Sequence, residues 1–252
     1  MNDCKVMIAG VGIDNITMDQ TLSFIEELIQ KRKVSYVVTP NVDHIIKLQR
    51  DLEFKKIYRE AACVLPDGMP LLWAGRFLGT PLKEKVSGSD LVPRLCEIAA
   101  QKGYKLFFIG GKVGAAYKAK ELLEKRLTSI KIVGVCRPPL GSEEDSEENR
   151  KIEKMIEETA PDILFVGFGV PKQEKWIYKH YKSLGIPVSI GVGGTLDILA
   201  GMARRAPYWM QTSGLEWFWR LMMDPMRLWK RYLVDDMQFF RLVFLQKLGR
   251  AF

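Results

Sequence analysis

Five short apolar runs, rich in β-branched and aromatic residues, dictate most of what this chain can become. They are "SYVVTP" (35–40), "KLFFIGG" (105–111), "KIVGVC" (131–136), "DILFVGFG" (162–169) and "PVSIGVGG" (187–194). Helical periodicity occupies much of the rest, at Met18–Lys31, Asp90–Gln101, Val113–Leu127, Ser146–Thr159 and Lys172–Ser183. Strands that alternate with helices predict an α/β fold, Rossmann-like, with a mostly parallel sheet and helices on both faces. The runs are almost continuously apolar, as strands covered on both faces must be. A chain of 252 residues suffices for one such domain and an appendage. We place the α/β domain at residues 1–200 and a basic, aromatic-rich helical appendage at 201–252.

Several strands end in Gly or Pro, which places ligand-binding loops at their carboxyl ends. "VVTPNVDHI" (37–45) sets Thr39 and Asn41 just past a strand, where they either meet a ligand or serve as turn and cap residues. "VLPDGMPLLW" (64–73) sets Asp67 in a turn against Met69 and Leu71, and apolar neighbours raise a carboxyl pKa toward that of a working base. "FIGGKVGAA" (108–116) is a glycine turn before a helix, suited to an anion at the helix N-terminus. It is neither a Walker A nor a GxGxxG, and no cofactor is expected. "VGFGVPKQEKW" (166–176) delivers Lys172, Gln173 and Glu174 to a helix start, and "GVGGTLDILAG" (191–201) delivers Thr195 and Asp197 after three glycines. Three glycine-ended strands together favour a nucleotide-type ligand, with Asp197 on a ribose hydroxyl or base edge.

The charge is uneven. Of a net +8, the segment from Gly201 onward carries nine Lys/Arg against four Asp/Glu, and the first 200 residues carry 29 against 26. A basic tail on a near-neutral domain suits an anionic lipid surface better than nucleic acid. "GLEWFWRLMMDPMRLWKRY" (214–232) packs three Trp, three Met and four basic residues into this tail. Asp224-Pro225 divides it into two helices. On a helical wheel from Pro225, Arg227, Lys230, Arg231, Gln238 and Arg241 share one side. Leu228, Trp229, Tyr232, Leu233, Phe239, Phe240 and Val243 share the other. That is the pattern of a helix lying on the inner leaflet of a membrane, although the same face suits packing on the main domain or a homodimer.

Cys4, Cys63, Cys96 and Cys136 are too scattered for a zinc site or a disulfide framework, and reduced thiols in a cytoplasmic protein are expected. The opening "MNDCKVMIAGVGIDN" does not fit a secretory leader, and no apolar run reaches the ~18 residues of a membrane span. His44 and His180 have no metal-ligand spacing and are expected to be ordinary surface or half-buried residues; no metal is expected. "GSEEDSEENR" (141–150) is an acidic, solvated lead-in to a helix.

In order along the chain, "TPNVDH", "LPDGMPLLW", "KVSGSDL", "FIGG", "FGVPKQEKW", "GVGGTLDILAG", "RRAP" and "GLEWFWRL..DPMRLWKRY" resemble the WecG/TagA/CpsF glycosyltransferase family. The resemblance covers nearly the whole chain. It implies a bacterial enzyme that moves a sugar from a UDP-sugar donor to a polyprenyl-diphosphate-linked acceptor. The best-known members transfer N-acetylmannosamine to undecaprenyl-diphosphate-linked N-acetylglucosamine for wall teichoic acid. Others use different donors for enterobacterial common antigen, capsule or exopolysaccharide. By motif, Asp67 matches the family's general base, Thr39 and Asn41 the polar residues beside it, and Gln173 and Asp197 positions near the nucleotide-sugar. Arg220 and Arg227 match appendage arginines that close over the diphosphate, the third such position falling at Lys230 with Arg231 beside it. Lys85 in "EKVSGSD" stands where arginine is expected, keeping the charge and losing the bidentate fork. "VCRPPLG" lacks an aromatic that many members carry before the acidic run.

These readings converge on an inverting displacement in which Asp67 activates the acceptor hydroxyl. No Asp-x-Asp pair exists to bind a divalent ion, so the appendage cations are expected to stabilise the leaving diphosphate. Two rival readings follow from the residues. One is a nucleotide-dependent oxidoreductase, disfavoured because no acidic residue follows a proper GxGxxG at about 20 positions. The other is a peripheral membrane module that binds nucleotide without catalysis.

Overall fold

The computed structural model describes residues 5–139, 141 and 145–249, with the Arg227 side chain also outside the description. Cys4 and residues 142–144 of the acidic lead-in therefore lie outside it. The chain opens with an antiparallel hairpin, β1 (Lys5–Ile8) and β2 (Val11–Asp14), then α1 (Met18–Gln30) and β3 (Ser35–Val38). Next come α2 (Val42–Arg50), α3 (Leu52–Glu60), the two-residue β4 (Cys63–Val64), α4 (Met69–Leu78) and α5 (Gly88–Lys102). The second half alternates regularly: β5 (Lys105–Gly110), α6 (Ala115–Arg126), β6 (Lys131–Cys136), α7 (Ser146–Thr159), β7 (Ile163–Gly167), α8 (Lys172–Leu184), β8 (Val188–Gly191) and α9 (Thr195–Leu199).

Among the described residues the main sheet has six strands in the order β4-β3-β8-β7-β5-β6, all parallel. Its alternation is visible in the core. Val37, Phe108, Phe165 and Ile190 join a cluster with Leu22 and Ile25 of α1 and Leu91 and Leu95 of α5. Tyr36, Val38, Phe107, Leu164 and Val166 join a second cluster on the opposite face with Ile45, Phe54, Leu71 and Trp176. Both faces are thus buried, which is why the strands read as unbroken apolar runs. The hairpin and α2–α4 have no counterpart in the expected elements. Each is short, and α2 and α3 are polar on one side.

The C-terminal part comprises α10 (Tyr208–Thr212), α11 (Glu216–Met223), α12 (Pro225–Lys230), a π-helical turn (Arg231–Asp235) and α13 (Met237–Lys247). The break at Asp224-Pro225 is where the sequence puts it, but the single amphipathic helix from Pro225 is not formed. Arg231, placed on the polar side of the wheel, stands at the start of the π turn and reaches Asn41 and Asp43. Of the residues placed on the apolar side, Trp229, Leu233 and Phe240 are exposed, while Leu228, Phe239 and Val243 are buried. Phe239 and Val243 enter the same core cluster as Tyr36 and Val38. Gln246 of α13 accepts the Ala9 N–H at 2.7 Å and donates to the Met7 carbonyl at 2.8 Å, fixing the helix on the hairpin. No helix of the described residues is long and apolar enough to cross a membrane.

Candidate active site

Adjacent parallel strands bring the first two motifs together. Past β3 and β4 the backbones stay bonded, with the Leu65 N–H on the Val38 carbonyl at 2.8 Å and the Asp67 N–H on the Pro40 carbonyl at 3.0 Å. The Val86 N–H holds the Pro66 carbonyl at 2.8 Å from the other side. Gly68 follows at φ +107°, a left-handed turn that suits glycine and sends the chain straight into α4. Asp67 is therefore held beside Asn41 by main-chain bonds. Burial pushes its carboxyl up to about 6, with Glu216 adding to the rise and Arg220, Lys85 and His44 opposing it.

Asp67 borders two cavities. The larger, of ≈ 720 Å³, is polar and lies at the carboxyl ends of β3, β5, β7 and β8. Thr39, Gln173, Thr195 and Asp197 line it, together with Lys112 and Arg204. Gln173 braces this wall: its Oε1 accepts the N–H groups of Gly169 at 3.2 Å and Gly193 at 3.0 Å, and its Nε2 donates to Glu174 at 2.8 Å. A Cβ at Gly191 would lie 2.8 Å from that Nε2, so only glycine lets the brace lie flat. Asp197 Oδ1 accepts the Lys112 N–H at 2.8 Å, and the Gly111 N–H is taken by the Gly167 carbonyl at 2.9 Å. The Gly111 and Lys112 amides of the "FIGGK" turn thus bond within the protein. Thr39 and Thr195 are nearly buried, both hydroxyls facing the start of α5 near Gly88.

The smaller cavity, of ≈ 270 Å³, lies under the C-terminal helices and is walled by Met69, Trp73, Trp217, Leu233, Met237 and Phe240. Asn41, Asp67, Glu216, Arg220, Arg231 and Tyr232 line both cavities. Lys85 lines the apolar one and pairs with Asp90 at 3.1 Å and Glu216 at 3.8 Å. Glu216 also holds Arg220 at 2.8 Å, and Asp90 holds Arg205. Alternating charge therefore ties "KVSGSD", "RRAP" and the first tail helix into one array. Lys230 is exposed and lines neither cavity, and the Arg227 side chain lies outside the described residues.

The fold thus gathers Thr39, Asn41, Asp67, Lys85, Gln173, Thr195, Asp197, Arg220 and Arg231 around one junction. His44 departs from the sequence reading: it is 6% exposed, lines the polar cavity and faces Glu174 at 3.3 Å. His180 is also buried, against Glu153 at 3.0 Å. Glu216, Arg204, Arg205 and Lys112 were not singled out. Among the described residues no group of three or more His, Cys, Asp or Glu is placed to hold a metal ion.

A polar cleft at the strand ends of an open α/β sheet, with a carboxyl of raised pKa and an adjoining apolar cavity, has the features of an enzyme's ligand-binding site. The family described as "Glycosyl transferase WecG/TagA/CpsF family" matches residues 6–252, and the chain belongs to that glycosyltransferase family. It is similar to a Staphylococcus aureus (strain MRSA252) protein named N-acetylglucosaminyldiphosphoundecaprenol N-acetyl-beta-D-mannosaminyltransferase. That likeness is 30% identity over 235 residues, 91% of this chain and 87% of the relative. A Bacillus subtilis (strain 168) protein of the same name is 29% identical over 227 residues, 90% of this chain and 86% of the relative.

Proposed function

We propose that this protein transfers N-acetylmannosamine, with inversion, from a UDP-sugar to N-acetylglucosamine carried on undecaprenyl diphosphate. The observation that carries the reading is the place of Asp67, on the border between a polar cleft and an apolar cavity. The donor occupies the polar cleft, its nucleotide toward Asp197 and its diphosphate toward the arginines. The acceptor enters from the apolar side. Asp67 takes the proton of the attacking hydroxyl, and the oxygen displaces UDP from the opposite face of the anomeric carbon. A base near 6 is largely ionised at neutral pH and still basic enough to work. Arg220, Arg231 and Lys85 carry the charge that builds on the departing UDP, in place of a divalent ion.

The acceptor's anchor would put the site at the inner face of the cell membrane. Trp209, Met223, Met226, Trp229 and Phe244 are exposed on the C-terminal helices, which suits contact with lipid. The test is a panel of UDP-sugars with a lipid-diphosphate-N-acetylglucosamine analogue, read as UDP release. UDP-N-acetylmannosamine should give acceptor-dependent release above all other donors. Release with UDP-glucose or a uronic-acid donor instead would reassign the sugar, and none with any donor would overturn the reading.

A further inference from the structure

His44, Glu174 and Asn41 form a buried chain that the reaction scheme leaves unused. His44 lies in the first turn of α2, and its Nδ1 is 2.8 Å from Asn41 Oδ1. Its Nε2 is 3.3 Å from Glu174 Oε1. That carboxylate is 1% exposed, and its Oε2 has no hydrogen-bond partner among the described residues. Phe54 stacks against the His44 ring at 6.3 Å and Tyr58 flanks it at 6.5 Å.

The bonds fix where the Nδ1 proton sits. Glu174 Oε1 accepts the Gln173 amide at 2.8 Å and lies 3.3 Å from His44 Nε2, which ties the far edge of the ring to that carboxyl. Asn41 Oδ1 is an oxygen by its own contacts, since it accepts the Asp43 N–H at 3.1 Å as the helix cap. A bare Nδ1 would place two lone pairs 2.8 Å apart, so Nδ1 donates. The Asn41 N–H approaches the same Nδ1 at 3.3 Å, the longer and weaker contact. The ring thus bridges the Asn41 side chain on one edge and the buried Glu174 carboxyl on the other. The other charges facing the ring are Asp67 across the cleft and Arg231 from the tail, whose Nη2 reaches Asn41 Oδ1 at 3.4 Å.

We infer that Glu174 and His44 are positioning residues that lock the Asn41 side chain with its Oδ1 inward and its Nδ2 turned to the junction of the two cavities. Oδ1 takes the Asp43 and His44 N–H groups, the His44 ring and Arg231, so it has no capacity left for substrate. Nδ2 makes no hydrogen bond among the described residues, so Asn41 presents a donor to an acceptor atom of the substrate, such as a sugar hydroxyl oxygen or an amide carbonyl. Docking of the tail through Arg231 completes the lock. The inference rests on the transferase reading for the identity of that substrate and on geometry alone for the lock.

Two substitutions separate the ends of the ring. In His44→Asn the new side-chain nitrogen stands at the position of Nδ1 and keeps the donor to Asn41. In His44→Gln the nitrogen stands at Nε2 and keeps only the bond to Glu174. With thermal unfolding confirming that both fold, His44→Gln should lose on the order of tenfold in kcat with little change in donor KM, as a slightly misplaced group does. His44→Asn should regain most of that loss. Equal activities of the two variants would overturn the positioning role. Because the chain has only two histidines, 15N-histidine NMR reads the ring directly, His44→Gln assigning the signal. A proton on Nδ1 is expected; a bare Nδ1 in the unsubstituted protein would sink the lock. If that protein releases no UDP with any donor, the transferase reading has failed, and the ring signal still decides the lock.

Discussion

The two cavities that meet at Asp67 are built by opposite means. On its sheet side the polar cleft is largely main chain, glycine turns at the strand ends braced by Gln173 and Asp197, while long cationic side chains such as Arg204, Arg220 and Arg231 close it from the C-terminal segment. The apolar cavity is made almost wholly of side chains, with Trp73 and Met69 of α4 facing Trp217, Leu233, Met237 and Phe240 of the tail. The first kind of wall is rigid because its hydrogen bonds are satisfied within the sheet loops. The second is held by packing and by a few ion pairs, among them Arg231 with Asp43 and Lys85 with Glu216. A cleft for a compact, charged donor and a cavity for a lipid-borne acceptor make these two demands, and the carboxyl between them belongs to both.

The sharpest way to break the pairing is at its shared residue. Asp67→Asn should abolish turnover by several orders of magnitude while UDP still binds, measured by UDP release and by calorimetry. Turnover retained would remove Asp67 as the base. The rate in the unsubstituted protein should rise with pH through about 6, as the carboxyl ionises. Stability should run the other way. The native carboxyl sits near 6 against an ordinary value of 3.8, so between those values the folded state binds more protons than the unfolded one. Its contribution is full below the lower value and lost as pH rises through the upper. The Asn variant should therefore melt a few degrees higher at pH 7. An inactive variant with a higher Tm is the mark of a site built at some expense to the fold.

Next in size is the apolar wall. Trp217→Ala and Phe240→Ala each remove a large side chain that lines this cavity and not the polar one. Both rings are already over a third exposed, so the core should survive. Losing one such apolar contact costs ~1.5–3 kcal/mol at full burial, so acceptor KM should rise by roughly tenfold. Donor KM and UDP affinity should stay where they are. A matching rise in donor KM would mean that the cavities are one site, not two.

How far the sequence exposes this arrangement follows from the range over which each part is specified. The five long strands and their helices are legible because their periodicity is local. Val37, Phe108 and Phe165 face one cluster and Tyr36, Phe107 and Leu164 the other, within single apolar runs. Thr39, Asn41 and Asp67 are legible because each sits just past a strand end. The hairpin strands alternate in burial over only four residues each, whereas β3 and β8, equally short, are buried throughout and stand out as apolar runs. The His44–Glu174 pair spans 130 positions, and nothing local marks either member. In the tail a helical wheel sorts polar from apolar residues but does not say which edge docks: Leu228, Phe239 and Val243 are buried, and Arg231 reaches the junction while Lys230, one position earlier, does not.

The smallest expected effect tests how the polar cleft handles charge. Lys112, Arg204, Arg205, Arg220 and Arg231 line it. Against them, Asp197, Asp67 and Glu216 are spread around the wall, with Asp197 committed to the Lys112 amide and Glu216 to Arg220. A divalent ion bound by protein wants several oxygen ligands converging on one point, and these carboxylates do not converge. The departing diphosphate would then be neutralised by cationic side chains already in place, four of them carried on the segment from Gly201 onward. Excess chelator should leave the rate of UDP release unchanged, and added magnesium should not raise it. A strict magnesium requirement would reverse the assignment. The donor would bring its own ion, and the tail cations would be left for the acceptor's diphosphate, moving the charged half of the chemistry from the polar cleft to the apolar cavity's mouth.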